Sequence, residues 1–282
     1  MIWVDTIAEL RKIVSGWRRE GLTIGLVPTM GYFHEGHLSL MRHAKAENDR
    51  VVVSLFVNPT QFGPNEDLDR YPRDHARDRS LAEGVGVDLI FAPLPGEMYP
   101  EGFQTWVEVT GLTQGLCGKS RPGHFRGVTT VVTKLMMLVG PDRAYFGEKD
   151  AQQLRVVRRM VRDLNIPVEV RPVPLVREAD GLAMSSRNVY LSPEERQAAL
   201  ILSKALFAMR DRVQAGETDV HSLREGMESM IKAEPLVQLE YLEFVDDETL
   251  EIVERVERPV LVALAAKVGR TRLIDNLVVG RL

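Results

Sequence analysis

The sequence predicts a doubly wound α/β domain, a parallel sheet with helices on both faces, followed by a smaller α+β domain. Three observations predict it. Short apolar, β-branched runs alternate with helical patterns up to about residue 175. Near Leu175 the pattern changes to two helices and then three strand-like runs. The chain has 282 residues, 44% hydrophobic and 27% charged, which at ~150 residues per domain suits two domains with sizeable cores.

Thr23–Pro28 is the first apolar run, Leu38–Asn48 has helical spacing with Leu38, Met41 and Ala44 on one side, and Arg50–Val57 is strongly β-branched. Strand, helix and strand in that order favour a parallel pair with a right-handed crossover. The alternation continues with a helix over Asp74–Glu83 and a strand over Asp88–Ala92. A shorter strand follows over Thr105–Val109, then a buried helix over Val128–Val139 and a strand over Arg143–Phe146. An amphipathic helix over Ala151–Leu164 and a last strand over Val168–Val170 complete this part. The domains are therefore 1–175 and 176–282. In the second, Ser192 as N-cap, Pro193 at the first helical position and Glu195 three residues past the cap mark a helix start. That helix runs to about Ala215, and a second runs from Val220 to Glu234 and stops at Pro235. The strands are Leu239–Val245, Pro259–Lys267 and Thr271–Leu277, with Gly269 between the last two as a hairpin.

Lys plus Arg number 36 and Asp plus Glu 40, a net charge of −4. This argues against a nucleic-acid partner, which needs a basic face. The one cysteine, Cys117, excludes an internal disulfide and a Cys-rich zinc site. No apolar stretch follows the N-terminus, and no run approaches the ~18 residues that span a bilayer. A cytoplasmic location with no membrane partner is expected. Gly118-Lys119-Ser120 looks like a P-loop ending, but Thr113 stands where the earlier glycine is needed. Gly84-Val85-Gly86 does not continue into a dinucleotide fingerprint.

Chemistry concentrates in Pro28-Thr29-Met30-Gly31-Tyr32-Phe33-His34-Glu35-Gly36-His37, between the first strand and its helix. Ligands bind at the carboxyl ends of strands in open α/β sheets, and a helix N-terminus there suits phosphate. Gly31 and Gly36 permit close backbone approach. His34 and His37, three apart, can address one anion and donate to phosphoryl oxygens. Each alone would read as an exposed or helix-capping histidine. Gly147-Glu148-Lys149-Asp150 is a second strand-to-helix turn, with a mobile cation in Lys149 and a helix cap in Asp150. Gln61 and Gln153 are neutral amides at the ends of two different strands, suited to hydroxyl and carboxylate groups. Met184-Ser185-Ser186-Arg187 follows Gly181, and two hydroxyls with a guanidinium can bracket a triphosphate.

His34-Glu35-Gly36-His37 resembles the HxGH motif of the nucleotidyltransferase superfamily, which implies a Rossmann-like fold. The fuller ten-residue string resembles the pantoate–β-alanine ligase family. Phe56–Phe62, Arg121–Val128, Phe146–Gln153 and Met184–Asn188 match the same family in order, the last as its version of the KMSKS loop. The resemblance is dense over roughly residues 20–190 and loose beyond.

It implies ATP-dependent ligation of (R)-pantoate and β-alanine to pantothenate, a coenzyme A precursor, through a pantoyl adenylate with release of AMP and pyrophosphate. His37, His34 and Lys149 are then catalytic, with His37 the better proton donor to the leaving group. Met30, Gly31, His34, His37, Gly147, Lys149, Asp150, Val176, Met184, Ser185, Ser186 and Arg187 bind ATP. Gln61 and Gln153 bind pantoate, and Gln61 also binds β-alanine. Mg2+ with few protein ligands, a homodimer, and closure of the C-terminal domain are further implications. Two alternatives stay open on the residues alone: another HxGH nucleotidyltransferase whose product keeps the nucleotide, and a non-catalytic nucleotide-binding regulator.

Overall fold

The computed structural model describes residues 1–64 and 66–280, in two compact units. The first comprises Met1–Thr113, Arg121–Glu148 and Gln153–Pro174. The second comprises Gln114–Ser120, Lys149–Gln152 and residues from Leu175 onward.

The first unit opens with two elements that sequence reading missed, β1 (Ile2–Val4) and α1 (Ile7–Arg19). Thr6 caps α1, its hydroxyl accepting from the Glu9 N–H at 3.3 Å. There follow β2 (Ile24–Thr29), α2 (Glu35–Glu47), β3 (Arg50–Leu55), α3 (His75–Gly84), β4 (Leu89–Phe91) and the short α4 (Pro95–Met98). The turn α5 (Leu116–Ser120) belongs to the second unit. The first unit resumes with α6 (His124–Val139), β5 (Arg143–Gly147), most of α7 (Ala151–Asp163) and β6 (Glu169–Val173).

The six strands pair in parallel in the order β1-β4-β3-β2-β5-β6. β2 and β3 are almost wholly buried, which is why both read as continuous apolar runs. β6 lies at the sheet edge with its Glu169 N–H turned toward β5; two-residue alternation then puts the Pro172 nitrogen on the open side, where no ladder bond is lost. The strand expected at Thr105–Val109 is absent. That segment is held by threonines of α6 instead: Val107 N–H donates to Thr130 Oγ1 at 3.0 Å, and Thr129 Oγ1 donates to the Val107 carbonyl at 2.5 Å. Its alternating pattern matched a strand, but side chains supply the bonds a neighbouring strand would have given.

The second unit contains α8 (Pro193–Gln214), α9 (Val220–Lys232) and an antiparallel sheet β7-β8-β9 of Val237–Asp246, Val260–Val268 and Thr271–Val279. Ser192 and Glu195 form the expected capping box on α8. Leu206, Leu223, Phe244 and Leu264 lie in one core beneath the sheet. Leu116 and Ala151 pack with Val245, Leu261 and Ala263, which ties α5 and the start of α7 to this unit. Among the described residues, no helix is long and apolar enough to cross a membrane.

Candidate active site

The strand order reverses between β2 and β5, since the chain passes from β2 to β3 on one side and later from β5 to β6 on the other. Such a switch point is where an open α/β sheet leaves a crevice. Here the pairing across it stops early, at Pro28. β2 and β5 pair only at Gly25 with Arg143 and Leu26 with Ala144, although both strands run further. The Asp142 N–H bonds the Ile24 carbonyl on the β5 side, so the two-residue alternation turns Pro28 toward β5 as well. Proline has no N–H to donate, and the ladder ends there.

The turn after β2 is held by a carboxylate that sequence reading left without a role. Asp78 on α3 accepts the Tyr32 N–H at 2.7 Å and the Phe33 N–H at 2.6 Å. Gly31 (φ 86°) and Tyr32 (φ 52°) are both left-handed, which aims consecutive N–H groups at one anion. A side chain at Gly31 would meet Leu55 at 3.0 Å and Asp78 at 3.1 Å, so glycine is required. Burial pushes the Asp78 carboxyl above its ordinary range, while the two N–H groups pull the other way.

His34 is the N-cap of α2. Its Nδ1 accepts the Gly36 N–H at 3.1 Å, and His37 Nδ1 accepts the His34 N–H at 3.3 Å. The two rings lie 4.1 Å apart. This corrects one expectation: the N–H groups of Gly36 and His37 bond within the cap, and those of Tyr32 and Phe33 go to Asp78. The N–H groups of Gly36, His37 and Leu38 are thus committed within the helix end, and two imidazoles stand beside it. With Nδ1 accepting in both rings, the neutral tautomer carries its hydrogen on Nε2. Capping and phosphate donation therefore use different nitrogens and are compatible.

After β3, a single 3-10 turn, Pro59–Gln61, carries Gln61. Asn58, 1% exposed, donates its Nδ2 to Gln61 Oε1 at 3.0 Å and to the Gly127 carbonyl at 3.2 Å. Gln61 Nε2 donates to the Met30 sulfur at 3.3 Å, joining the turns after β2 and β3. The Gln61 carbonyl accepts from His124 Nδ1 at 2.9 Å and Arg121 Nη2 at 3.3 Å. Arg121 in turn grips Glu66 with Nε at 2.7 Å and Nη2 at 2.5 Å. Burial is the largest influence on Glu66 and raises its pKa, but the bonds and charge of Arg121 outweigh it and hold the carboxyl below its ordinary value. Asn58, Arg121, His124 and Gly127 all lay in recognised motifs, yet spacing alone assigned them no task. Gly147 ends β5, and Gln153 lies in the first turn of α7.

The second unit carries the remaining candidates. Lys149 and Asp150 lie in a 3-10 turn, Glu148–Asp150, that runs directly into α7. Val176 and Met184 are brought side by side by a tight hairpin. The Met184 N–H donates to the Val176 carbonyl at 3.1 Å, Arg177 bridges Ala183, and Gly181 (φ 97°) makes the turn. Ser185 then caps a 3-10 helix, Ser186–Tyr190, its hydroxyl accepting the Arg187 N–H at 3.2 Å. Asn188 braces this segment against Glu178 and the Ala183 carbonyl, both at 3.1 Å.

The family model described as pantoate-beta-alanine ligase matches residues 2–278. The chain belongs to the pantoate–β-alanine ligase family. It is 58% identical over 279 residues to the pantothenate synthetase of Caldicellulosiruptor bescii, covering 99% of each chain. It is 60% identical over 277 residues to that of Thermotoga petrophila, covering 98% of this chain and 99% of the relative. The crystal structure of pantothenate synthetase from Thermus thermophilus superposes with a TM-score of 0.94 at 54% identity, covering 98% of this chain and 99% of that one. The pantoate-beta-alanine ligase of Francisella tularensis, crystallised with beta-gamma ATP and beta-alanine, gives a TM-score of 0.81 at 33% identity, covering 98% of this chain and 97% of that one. Family membership therefore spans both units, including the C-terminal part where the motif resemblance was loose.

Proposed function

We propose that this chain ligates (R)-pantoate to β-alanine with ATP, by way of a pantoyl adenylate. A carboxylate oxygen of pantoate attacks the α-phosphorus, and the bond from that phosphorus to the bridging oxygen breaks, releasing pyrophosphate. The β-alanine amine then attacks the acyl carbon, the carbon–oxygen bond to AMP breaks, and the amine loses its proton. Adenylation is needed because oxide is too poor a leaving group to expel from a carboxylate. Phosphoryl transfer asks the protein mainly for positioning and charge stabilisation.

The paired imidazole cap at the β2–β5 crevice carries this reading. His34 and His37 donate hydrogen bonds from Nε2 to nucleotide phosphates, His37 to the departing pyrophosphate. With Nδ1 committed to the cap the ring is neutral, so it stabilises the leaving group by a hydrogen bond rather than by giving up the proton the resemblance implied. Lys149 stabilises the phosphoryl transition state. Ser185, Ser186 and Arg187 hold the β,γ-phosphates. Met30, Gly31, Gly147, Asp150, Val176 and Met184 complete the ATP contacts. Gln61 and Gln153 hold pantoate, and Gln61 also meets β-alanine. Mg2+ accompanies the triphosphate. A magnesium ion there would be carried chiefly by phosphate oxygens and water. A catalytic domain over 1–175, a C-terminal domain over 176–282, a homodimer and a cytoplasmic location belong to the same proposal.

The test supplies ATP, pantoate and β-alanine and measures AMP, ADP and pyrophosphate. Pantoate-dependent AMP and pyrophosphate are expected. ADP would mean acyl-phosphate chemistry, and a product that retains the nucleotide would move the chain to another branch of the superfamily.

A further inference from the structure

β9 buries Leu273 and Val279, yet between them it carries Asp275 and Asn276, 3% and 8% exposed. Buried polar groups on a strand cost free energy unless each is matched, and apolar residues of similar volume often serve stability as well as a buried ion pair does. The partners of this dipeptide show what it is matched to. Both Asp275 oxygens grip Arg177, Oδ2 with Nη1 at 2.7 Å and Oδ1 with Nη2 at 2.8 Å. Arg177 Nη1 also donates to the Gly181 carbonyl at 3.0 Å, and the guanidinium lies 5.0 Å from the Phe207 ring centre. One carboxylate thereby ties the first leg to the turn of the hairpin that pairs Val176 with Met184 and leads into Ser185–Arg187. The next residue reaches a different segment: Asn276 Nδ2 donates to the Lys149 carbonyl at 2.8 Å. Successive side chains of a strand point to opposite faces. β9 is an edge strand of its sheet, so neighbouring residues can reach two segments that the sequence keeps apart.

We propose that Asp275 and Asn276 are positioning residues for adenylation, a shared anchor that sets the Lys149 turn and the 176–187 hairpin in register with each other. The proposal rests on the reading of Lys149 and Ser185–Arg187 as phosphate-handling groups. Asn276 restrains the backbone from which the lysine projects. Asp275 acts through Arg177 on the backbone that presents the serines and Arg187. Both act through the groups they hold, Asp275 through Arg177 and Asn276 through the Lys149 carbonyl. Misplacement of a charge-stabilising group by about 1 Å costs about 10²-fold in rate, so an anchor on its backbone is worth a measurable share of that.

The test uses single-turnover kinetics on Asn276→Ala and Asp275→Asn, because first-order rate constants do not depend on how much enzyme is folded. Formation of bound adenylate should slow at least about tenfold, while aminolysis of adenylate already formed stays within about twofold. An unchanged adenylation constant, or an equal fall in both steps, overturns the proposal. A second measurement needs neither variant to fold: hydrogen exchange of the unliganded wild-type protein under rising denaturant. Amides of 149–152, 177–184 and β9 should converge on one opening event, and independent opening of the first two segments overturns the anchor. Wild-type protein that forms no pantoate-dependent AMP would defeat the functional reading instead, and the exchange result would still decide the anchor.

Discussion

Gly127→Ala separates what helix propensity predicts from what the structure predicts. Gly127 lies within α6, where alanine is favoured over glycine by about 1 kcal/mol. A Cβ there would sit 2.5 Å from the Thr60 carbonyl oxygen, 2.7 Å from its carbon and 2.7 Å from the Gln61 nitrogen. All three are backbone atoms, so no side chain can swing aside. Ordinary contact begins near 3.4 Å, and the 3-10 turn must retreat by roughly half an ångström to an ångström. Overpacking of this kind costs about 1–3 kcal/mol, which the propensity gain offsets in part, leaving about 0–2 kcal/mol of net destabilisation. The melting temperature should fall by no more than several degrees. Function should suffer far more. The retreating turn carries Gln61 and strains the Asn58 bond to the Gly127 carbonyl, and a shift near 1 Å is worth about 10²-fold. Steady-state AMP formation with varied pantoate, beside a thermal melt, reads both quantities. A variant with wild-type kcat/KM for pantoate, or one that gains stability, refutes the reasoning.

Three further outcomes are expected. His34→Asn keeps a side-chain acceptor for the helix cap but loses the ring nitrogen that donates; stability should hold within about 1 kcal/mol while pantoate-dependent pyrophosphate release falls about 10²-fold, and equal loss of both, or of neither, would count against separate roles for the two nitrogens. Asp78→Asn sets an amide N–H against a backbone N–H of the Tyr32–Phe33 turn; denaturant melts should show a loss of about 1–3 kcal/mol, together with slower adenylation, and a neutral effect would remove Asp78 as the brace. Glu66 has a folded pKa below its unfolded value, so its contribution is present above about pH 4.3 and disappears as pH falls through the folded value; the melting-temperature gap between wild type and Glu66→Gln should stay level from pH 7 to 5 and close at lower pH, and a gap that widens on acidification would reverse the sign.

What the sequence made legible follows from how local each signal is. The apolar runs of β2 and β3 and the capping box at Ser192 and Glu195 are determined within a few residues, and both were readable. α1 was readable in principle, because Ile7, Leu10, Val14 and Trp17 recur at helical spacing, but its charged residues and the three-residue strand before it diluted the pattern. Thr105–Val109 failed for the opposite reason: alternation predicts a pleated segment, not where its backbone bonds go, and Thr129 and Thr130 had already supplied them. The braces were invisible at short range. Asp78 reaches a turn 45 residues away, and Arg121 binds a carboxylate 55 residues away. Their one sequence trace is a charge on a face that should be apolar, as at Asp78 beside Ala82 on the buried side of α3. Asp275 and Asn276 leave the same trace in β9.

The turns share a design that explains why motif residues come with others no motif names. A side chain with two polar atoms can commit one to the local backbone and thereby aim the other. His34 and His37 commit Nδ1 to the cap, which assigns the hydrogen to Nε2. His124 does the reverse: the Arg121 guanidinium donates to its Nε2 at 3.1 Å, which leaves the hydrogen on Nδ1 for the Gln61 carbonyl. A ring in the wrong tautomer would lose one structural hydrogen bond and its aim, the first a modest loss and the second a large one. Binding geometry held in this way costs nothing further when a ligand arrives, because the orienting bonds already form part of the folded state. Substitutions at the partners that engage the first atom should therefore damage rate constants more than stability, and that is the pattern by which such braces can be told from ordinary packing.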